Sequence, residues 1–500
     1  MAFQRASGIL LHPTCLPSRF GIGDLGQAAY QFIDFLEQSG QKLWQVLPLG
    51  PTGLEHSPYI MNFSSFAGNP LLIDLDQLAQ EGLLDAASLT PLPPAEGEPA
   101  YARVDFAQVM PHKFTYLRQA FERFQPTSRY DQFCQEQAWW LDDYVLFMAL
   151  FEANQEQPWN SWDRPLARRD SEALAAAAAT LAEPIRFHRF VQFKFFEQWA
   201  RLRRYANDKG IQIVGDISIY VCHNSADVWA APDMFKLDPE TYDPAFMAGV
   251  PPDYFSATGQ LWSNPVYDWD KMAQTNFAWW VNRFKATLLY VDIVRIDHFR
   301  GFEAYWQVPG GETTAMNGEW IKGPDAKFFE VLEAAVGSLP VMAEDLGIIT
   351  PEVELLRDRF NFPGMKILQF AFGGDPSNAY LPHHYIPNCV VYPGTHDNDT
   401  AIGWWQSADQ ATKNHLAAYF GYASPDQIQG INWLFIQVAL ASVADLAILP
   451  LQDLLGLDGR ARMNDPRYND GQWRWRFTDP NLLSPELSQR LRQLTQLYSR

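Results

Sequence analysis

The chain has 500 residues, 47% hydrophobic and 19% charged, and its 35 Pro and 31 Gly are near average usage, which excludes a collagen-like, low-complexity or largely disordered polymer. Its 38 Lys and Arg against 58 Asp and Glu give a net charge of −20, and an acidic surface repels phosphates, which argues against nucleic acid as a partner. Cys15, Cys134, Cys222 and Cys389 stand too far apart for a zinc site or a Cys-x-x-Cys pair, and no apolar run reads as a signal peptide or membrane span, so the expected setting is the cytoplasm.

In chain order, apolar runs at 8–12 (GILLH) and 43–49 (LWQVLPL) flank a helical pattern over 27–39 that stops at Gly40. A Pro/Ala/Glu-rich stretch at 92–100 is followed by helical patterns over 137–151 and 171–207, the second broken by Pro184. Together these read as a helix-rich insertion over about 71–205. The next run is 211–216 (IQIVGD). The stretch 217–288 reads as a loop-rich insertion covering the active face. Runs at 292–297 (DIVRID) and 341–345 (VMAED) follow, then a helix with Thr350 as N-cap, Pro351 at its first position and Glu352 and Glu354 in its first turn. The last runs are 366–370 (KILQF), 389–393 (CVVYP) and 446–451 (LAILPL). The apolar stretch 433–451, interrupted by Gln437 and Asp445, reads as a helix followed by that last strand.

Continuous apolar runs, rather than alternating ones, are what strands buried on both faces of a parallel sheet require. Eight such runs with helices between them predict an α/β fold, a (β/α)8 TIM barrel with large helical and loop insertions. The whole chain, 1–500, reads as one decorated catalytic barrel, and no series of short strands after residue 453 suggests a C-terminal β-sandwich domain. In such a barrel the chemistry sits at the C-terminal strand ends.

Those ends carry acids: Asp216, Asp297, Glu344 and Asp397. Carboxylates converging on one mouth suit glycosyl transfer, in which one attacks or shields the anomeric carbon and another, kept protonated, serves the leaving oxygen. Arg295, two residues before Asp297 on the same strand, points to the same side and would keep Asp297 a carboxylate. Each acid alone is as readily a helix cap or a structural ion partner, and the cluster would also suit a divalent metal. No His-x-His pair or Lys-bearing strand end accompanies the acids, which argues against a metal, and His298 and His396 are better placed as donors to a hydroxyl-rich ligand. No nucleotide, flavin or pyridoxal motif is present, so no cofactor is expected.

Several longer motifs occur in a set order: Leu-Leu-His-Pro-Thr at 10–14, Trp-Gln-Val-Leu-Pro-Leu-Gly-Pro-Thr-Gly at 44–53, Ser-Pro-Tyr at 57–59, Phe-Ala-Gly-Asn-Pro at 66–70 and Val-Pro-Pro-Asp-Tyr-Phe-Ser at 250–256. Val-Arg-Ile-Asp-His-Phe-Arg-Gly-Phe at 294–302, Ala-Glu-Asp-Leu-Gly at 343–347, Thr-His-Asp-Asn-Asp-Thr at 395–400 and Ala-Arg-Met-Asn at 461–464 complete the set. With these the chain resembles the amylomaltases, the 4-α-glucanotransferases or disproportionating enzymes of glycoside hydrolase family 77, relatives of the α-amylases.

The resemblance implies retaining transfer of α-1,4-glucan segments between maltooligosaccharides or starch-type glucans, with these glucans as both donor and acceptor. It implies Asp297 as nucleophile with Arg295 as its partner, Glu344 as acid/base, and Asp397 as the acid that grips sugar hydroxyls beside His396. It further implies Asp216 as an acid in contact with substrate, Tyr59 as a ring that stacks under the sugar, and Tyr254 and Phe255 as part of a loop over the acceptor side. Gln260, Trp262, Asn264 and Asn464 line the glucan groove. An α-amylase-type hydrolase is the alternative, since hydrolases use the same acids with water as acceptor. The chain departs from the family pattern at Leu54-Glu55-His56, where some members carry Tyr-Gly-Asp, so no secondary glucan-binding surface is assumed.

Overall fold

A computed structural model describes residues 3–52, 57–59, 62–93, 101–252, 256–468 and 470–500. Tyr254 and Phe255, and residues 54–56, lie outside the described residues.

Eight parallel strands close into a barrel in sequence order: β1 (Ala6–Leu10), β2 (Leu43–Gln45), β3 (Gln212–Ile217), β4 (Ile293–Ile296), β5 (Val341–Ala343), β6 (Gly364–Ile367), β7 (Cys389–Tyr392) and β8 (Leu446–Pro450). β8 returns to β1 over a five-residue register, Ala6 opposite Leu446 through Leu10 opposite Pro450. Every residue of β1, β4, β7 and β8 is buried, as expected for strands covered on both faces. All eight expected strands are present, with shifted ends. β2 stops at Gln45 because Pro48, lacking an N–H, lies in the run that would extend it. β6 begins two residues early, and Leu368–Phe370 is a 3-10 turn.

The helices follow their local signals closely. Gln27–Gln38 ends where Ser39 Oγ turns back to the Phe35 carbonyl at 2.7 Å and Gly40 takes φ +79°. Pro351–Arg359 begins after Thr350, whose side chain makes no capping bond to the helix. The break expected at Pro184 falls at Leu181, between Ser171–Thr180 and Ala182–Asp208. Pro184 thereby sits in a first turn, where its missing N–H is no loss.

The long helix Ala182–Asp208 matters for the site because it ties down the segment after Tyr59. Buried Gln192 exchanges hydrogen bonds with the backbone of Gly68 (2.8 and 2.9 Å), and buried Gln198 does the same with Asp74 (2.8 and 3.0 Å). A Cβ at Gly68 would stand 1.9 Å from the Phe195 ring, so this close approach requires glycine.

Residues 217–288 are more regular than a loop-rich reading expects. Phe246–Val250 and Gln260–Pro265 pair antiparallel, and Ala304–Pro309 and Glu319–Lys322, from beyond β4, extend them into a four-stranded sheet. After β8 the described chain forms one short strand, Trp475–Phe477, paired with Tyr101–Arg103, and ends in the helix Pro485–Leu497. Among the described residues no helix is long and apolar enough to cross a membrane.

Candidate active site

Four acids meet at the C-terminal mouth of the barrel. Asp216 is in β3, Asp297 follows β4 directly and Glu344 follows β5 directly, while Asp397 lies in the loop after β7. Parallel register sets Asp216 beside Arg295, and paired residues of neighbouring strands point the same way. The Arg295 guanidinium therefore donates from one nitrogen to Asp216 Oδ2 at 2.7 Å and to Asp297 Oδ1 at 3.0 Å. The Asp216 side chain is fully buried, whereas that of Asp297 keeps 29% of its surface open to the mouth. Tyr59 Oη donates to the same Asp216 oxygen at 2.8 Å, and among the described residues Asp216 Oδ1 has no hydrogen-bond partner. Burial pushes the Asp216 carboxyl up to about 7, with Arg295 pulling against it. The two carboxylates in turn hold Arg295 firmly charged despite its burial.

Glu344 is built differently. Its Oε2 accepts the His298 backbone N–H at 2.6 Å and its Oε1 the Leu346 N–H at 2.9 Å. Burial, then the charge of Asp297, push its carboxyl up to about 8, outweighing the opposing pull of Arg295 and the two N–H donors. His298 delivers its N–H from a left-handed conformation, φ 50° and ψ 51°. For a residue with a Cβ this costs about 1–3 kcal/mol and persists only where the surroundings enforce it. Here the turn lets the chain leave β4 with Asp297 on the mouth and the next amide on Glu344. The His298 ring meets Trp262 edge-on, centroids 4.8 Å apart, and burial lowers it to about 4, leaving it neutral.

On the opposite wall, Asp397 Oδ1 accepts from Asn464 Nδ2 at 2.6 Å, and His396 Nε2 stands 3.4 Å from Asp397 Oδ2. Burial lowers the His396 pKa, with Asp397 acting to raise it. The His396 ring stacks on Tyr59, centroids 5.1 Å apart and planes 8° from parallel. One tyrosine thus joins the wall that carries Asp397 to the floor that carries Asp216.

Of the residues singled out in the sequence, Tyr59, Asp216, Arg295, Asp297, His298, Glu344, His396, Asp397 and Asn464 form this connected cluster. Trp262 joins it through His298, and exposed Gln260 accepts from Trp262 Nε1 at 3.3 Å. Asn264 is buried with its amide donating to the Val221 carbonyl at 2.8 Å, which makes it part of the wall behind the site. Sequence reasoning missed Trp473, whose ring lies 5.7 Å from Tyr59 and 5.8 Å from His396, and Arg462, which donates to the Asp397 carbonyl at 2.5 Å. Arg462 lies inside the motif at 461–464 and was available to it. Trp473 lies in a Trp-Arg-Trp run with no chemical signature of its own. Among the described residues no three His, Cys, Asp or Glu side chains are grouped as a metal site would require.

Residues 11–482 match the family described as 4-alpha-glucanotransferase. The 4-alpha-glucanotransferase of Synechocystis is 53% identical over 100% of this chain and 99% of its own length. That of Thermus thermophilus is 46% identical over the full length of both chains. Among solved structures, the amylomaltase from Streptococcus agalactiae in complex with acarbose superposes with a TM-score of 0.94 at 38% identity, covering 99% of this chain and 100% of that one.

Proposed function

This chain belongs to the 4-alpha-glucanotransferase family, and we propose that it moves α-1,4-glucan segments between maltooligosaccharide or starch-type chains by a retaining double displacement. In this reading Asp297 attacks C1 of the donor sugar and forms a glycosyl-enzyme as Glu344 gives its proton to the departing glucan oxygen. Glu344 then takes the proton of an incoming 4-hydroxyl, that oxygen displaces Asp297, and two inversions restore the α configuration. Arg295 holds the Asp297 side chain in place from 3.0 Å, while Asp216, Asp397, His396 and Asn464 bind sugar hydroxyls. Tyr59 supplies a flat face, and Gln260, Trp262 and Asn264 belong to the groove wall.

The observation that carries the reading is the contrast between the two central carboxyls. Asp297 sits partly open on a buried guanidinium, and Glu344 is pushed up to about 8 beside it. Environments that drive two acids apart are what a nucleophile and a proton donor need. Cys15, Cys134 and Cys389 are free thiols, two of them buried, which suits a cytoplasmic setting.

Purified protein incubated with maltotriose, with and without a chelator, tests the function. Free glucose with a ladder of longer maltooligosaccharides, indifferent to chelator, is the expected result. Glucose and maltose with nothing longer than the substrate would make water the acceptor and the protein a hydrolase. Activity lost to chelator would restore the metal reading.

A further inference from the structure

Trp320 lies on Glu319–Lys322, the edge strand of the four-stranded sheet, and is 38% exposed although its ring is held on two sides. The Arg300 guanidinium covers one face at 3.7 Å from the ring centroid, and Trp306, its register partner, meets it edge-on at 5.3 Å. Trp306 is itself pinned by a 2.9 Å bond from Nε1 to the Ala315 carbonyl. The Ala315 N–H donates to the Thr258 carbonyl at 3.0 Å, in the turn that leads into Gln260. Arg300 is buried, stands three residues after Asp297, and donates to the carbonyl of Ile348, four residues after Glu344. The ring is thus held against the segments that carry the nucleophile and the acid, with 38% of the residue's surface exposed. Met316 and Ile348, 56% and 52% exposed, are further apolar side chains on these flanking segments.

Leaving more than a third of a large, firmly held ring exposed forgoes part of the burial energy that a tryptophan gives a fold. A flat, fixed, half-apolar platform suits a ligand with an apolar face and a polar rim, which is the character of a pyranose ring. One exposed ring is far below the ~800 Å² per partner that a stable protein interface takes, and its backing by Arg300 ties it to the segments of the acid cluster. We infer that Trp320 is an outer subsite on which a sugar ring of a bound α-1,4-glucan stacks after the chain has left the four acids. The inference rests on the transferase reading and adds to it a preference for longer chains.

The test compares kcat/KM for maltoheptaose with that for maltotriose in wild type, Trp320→Leu and Trp320→Phe, with melting temperatures recorded for each. Leu keeps apolar bulk without a flat face, and Phe keeps a flat face. The heptaose-to-triose ratio falls about three- to tenfold in Trp320→Leu, the size of one aromatic stacking contact, and recovers in Trp320→Phe. An unchanged ratio, or an equal loss on both substrates, overturns the subsite. Calorimetric binding of maltoheptaose to the Asp297→Ala protein, with and without the added Trp320→Leu substitution, needs no turnover and separates the two ideas. Equal affinity in those two proteins overturns the subsite, whereas the lack of any product ladder from wild type overturns the transferase reading.

Discussion

In the proposed mechanism Glu344 gives its proton to the leaving glucan, and raising the pH should remove that proton. Its carboxyl is pushed up to about 8 by burial and by Asp297 at the same mouth. A group with that pKa is about nine-tenths protonated at pH 7 and about one-tenth at pH 9, so kcat/KM for maltotriose should fall roughly eightfold to tenfold between them and about tenfold per unit beyond. The limb reports the free enzyme, so kcat/KM is the quantity to follow. The control is a maltosyl fluoride donor with a fixed glucose acceptor, read as fluoride release. Fluoride leaves without a proton, so formation of the glycosyl-enzyme from it should lose the alkaline limb. A maltotriose limb at pH 6 or below would refute the placement of the acid, and an identical limb with both donors would show that some other group is being titrated.

The same raised pKa has a stability consequence of fixed sign. Folded Glu344 holds its proton through the range where the unfolded carboxyl has lost it, so its contribution is fully present below pH ~4.5 and is lost as pH rises toward 8. Water in the mouth screens the group, so Glu344→Gln should reduce the wild-type loss of stability between pH 5 and 8 by about 1–2 kcal/mol, read from urea melts at the two pH values; parallel curves would contradict it. Asp297→Ala should abolish turnover while shifting the melting temperature little, because Arg295 keeps its 2.7 Å partner Asp216. Asp216→Ala should instead cost about 3 kcal/mol of stability, since it strips a buried guanidinium of its buried partner; equal melting temperatures for the two variants would refute this ordering. Tyr59→Phe should lose about 1 kcal/mol with the 2.8 Å bond to Asp216, and Tyr59→Ala more, because the stack on His396 goes as well. Equal kcat/KM in these two variants would leave the stack without a role.

The barrel was legible because a strand buried on both faces writes its burial as a mostly apolar run, unbroken in β7 and β8 and interrupted only by Ser7 in β1 and Arg295 in β4. The acids were legible for a related reason: a charge ending such a run has one place to go, the open end of the barrel. The small sheet escaped notice because its strands satisfy one another across distance. Gly249 pairs with Leu261 on one side and Trp306 on the other, and Ser263, at φ 61°, interrupts the alternation that would mark its strand.

His298 shows where local reasoning ends. Histidine is among the side chains that tolerate the left-handed region, but in Ile-Asp-His-Phe alone that preference is too weak to fix it there. The conformation is held by partners that arrive from other strands: Glu344 accepting its amide from the end of β5, and Trp262 against its ring from the sheet the sequence did not disclose. The turn serves to aim that amide, while burial sets the raised pKa of the acid that accepts it. His298→Gly would ease the backbone while keeping the N–H, so Glu344 should keep its raised pKa and the alkaline limb should stay near pH 8 even as affinity for sugar drops with the lost ring. A limb that moved down by more than about one unit would mean that the His298 ring supplies a main share of the burial that raises the acid.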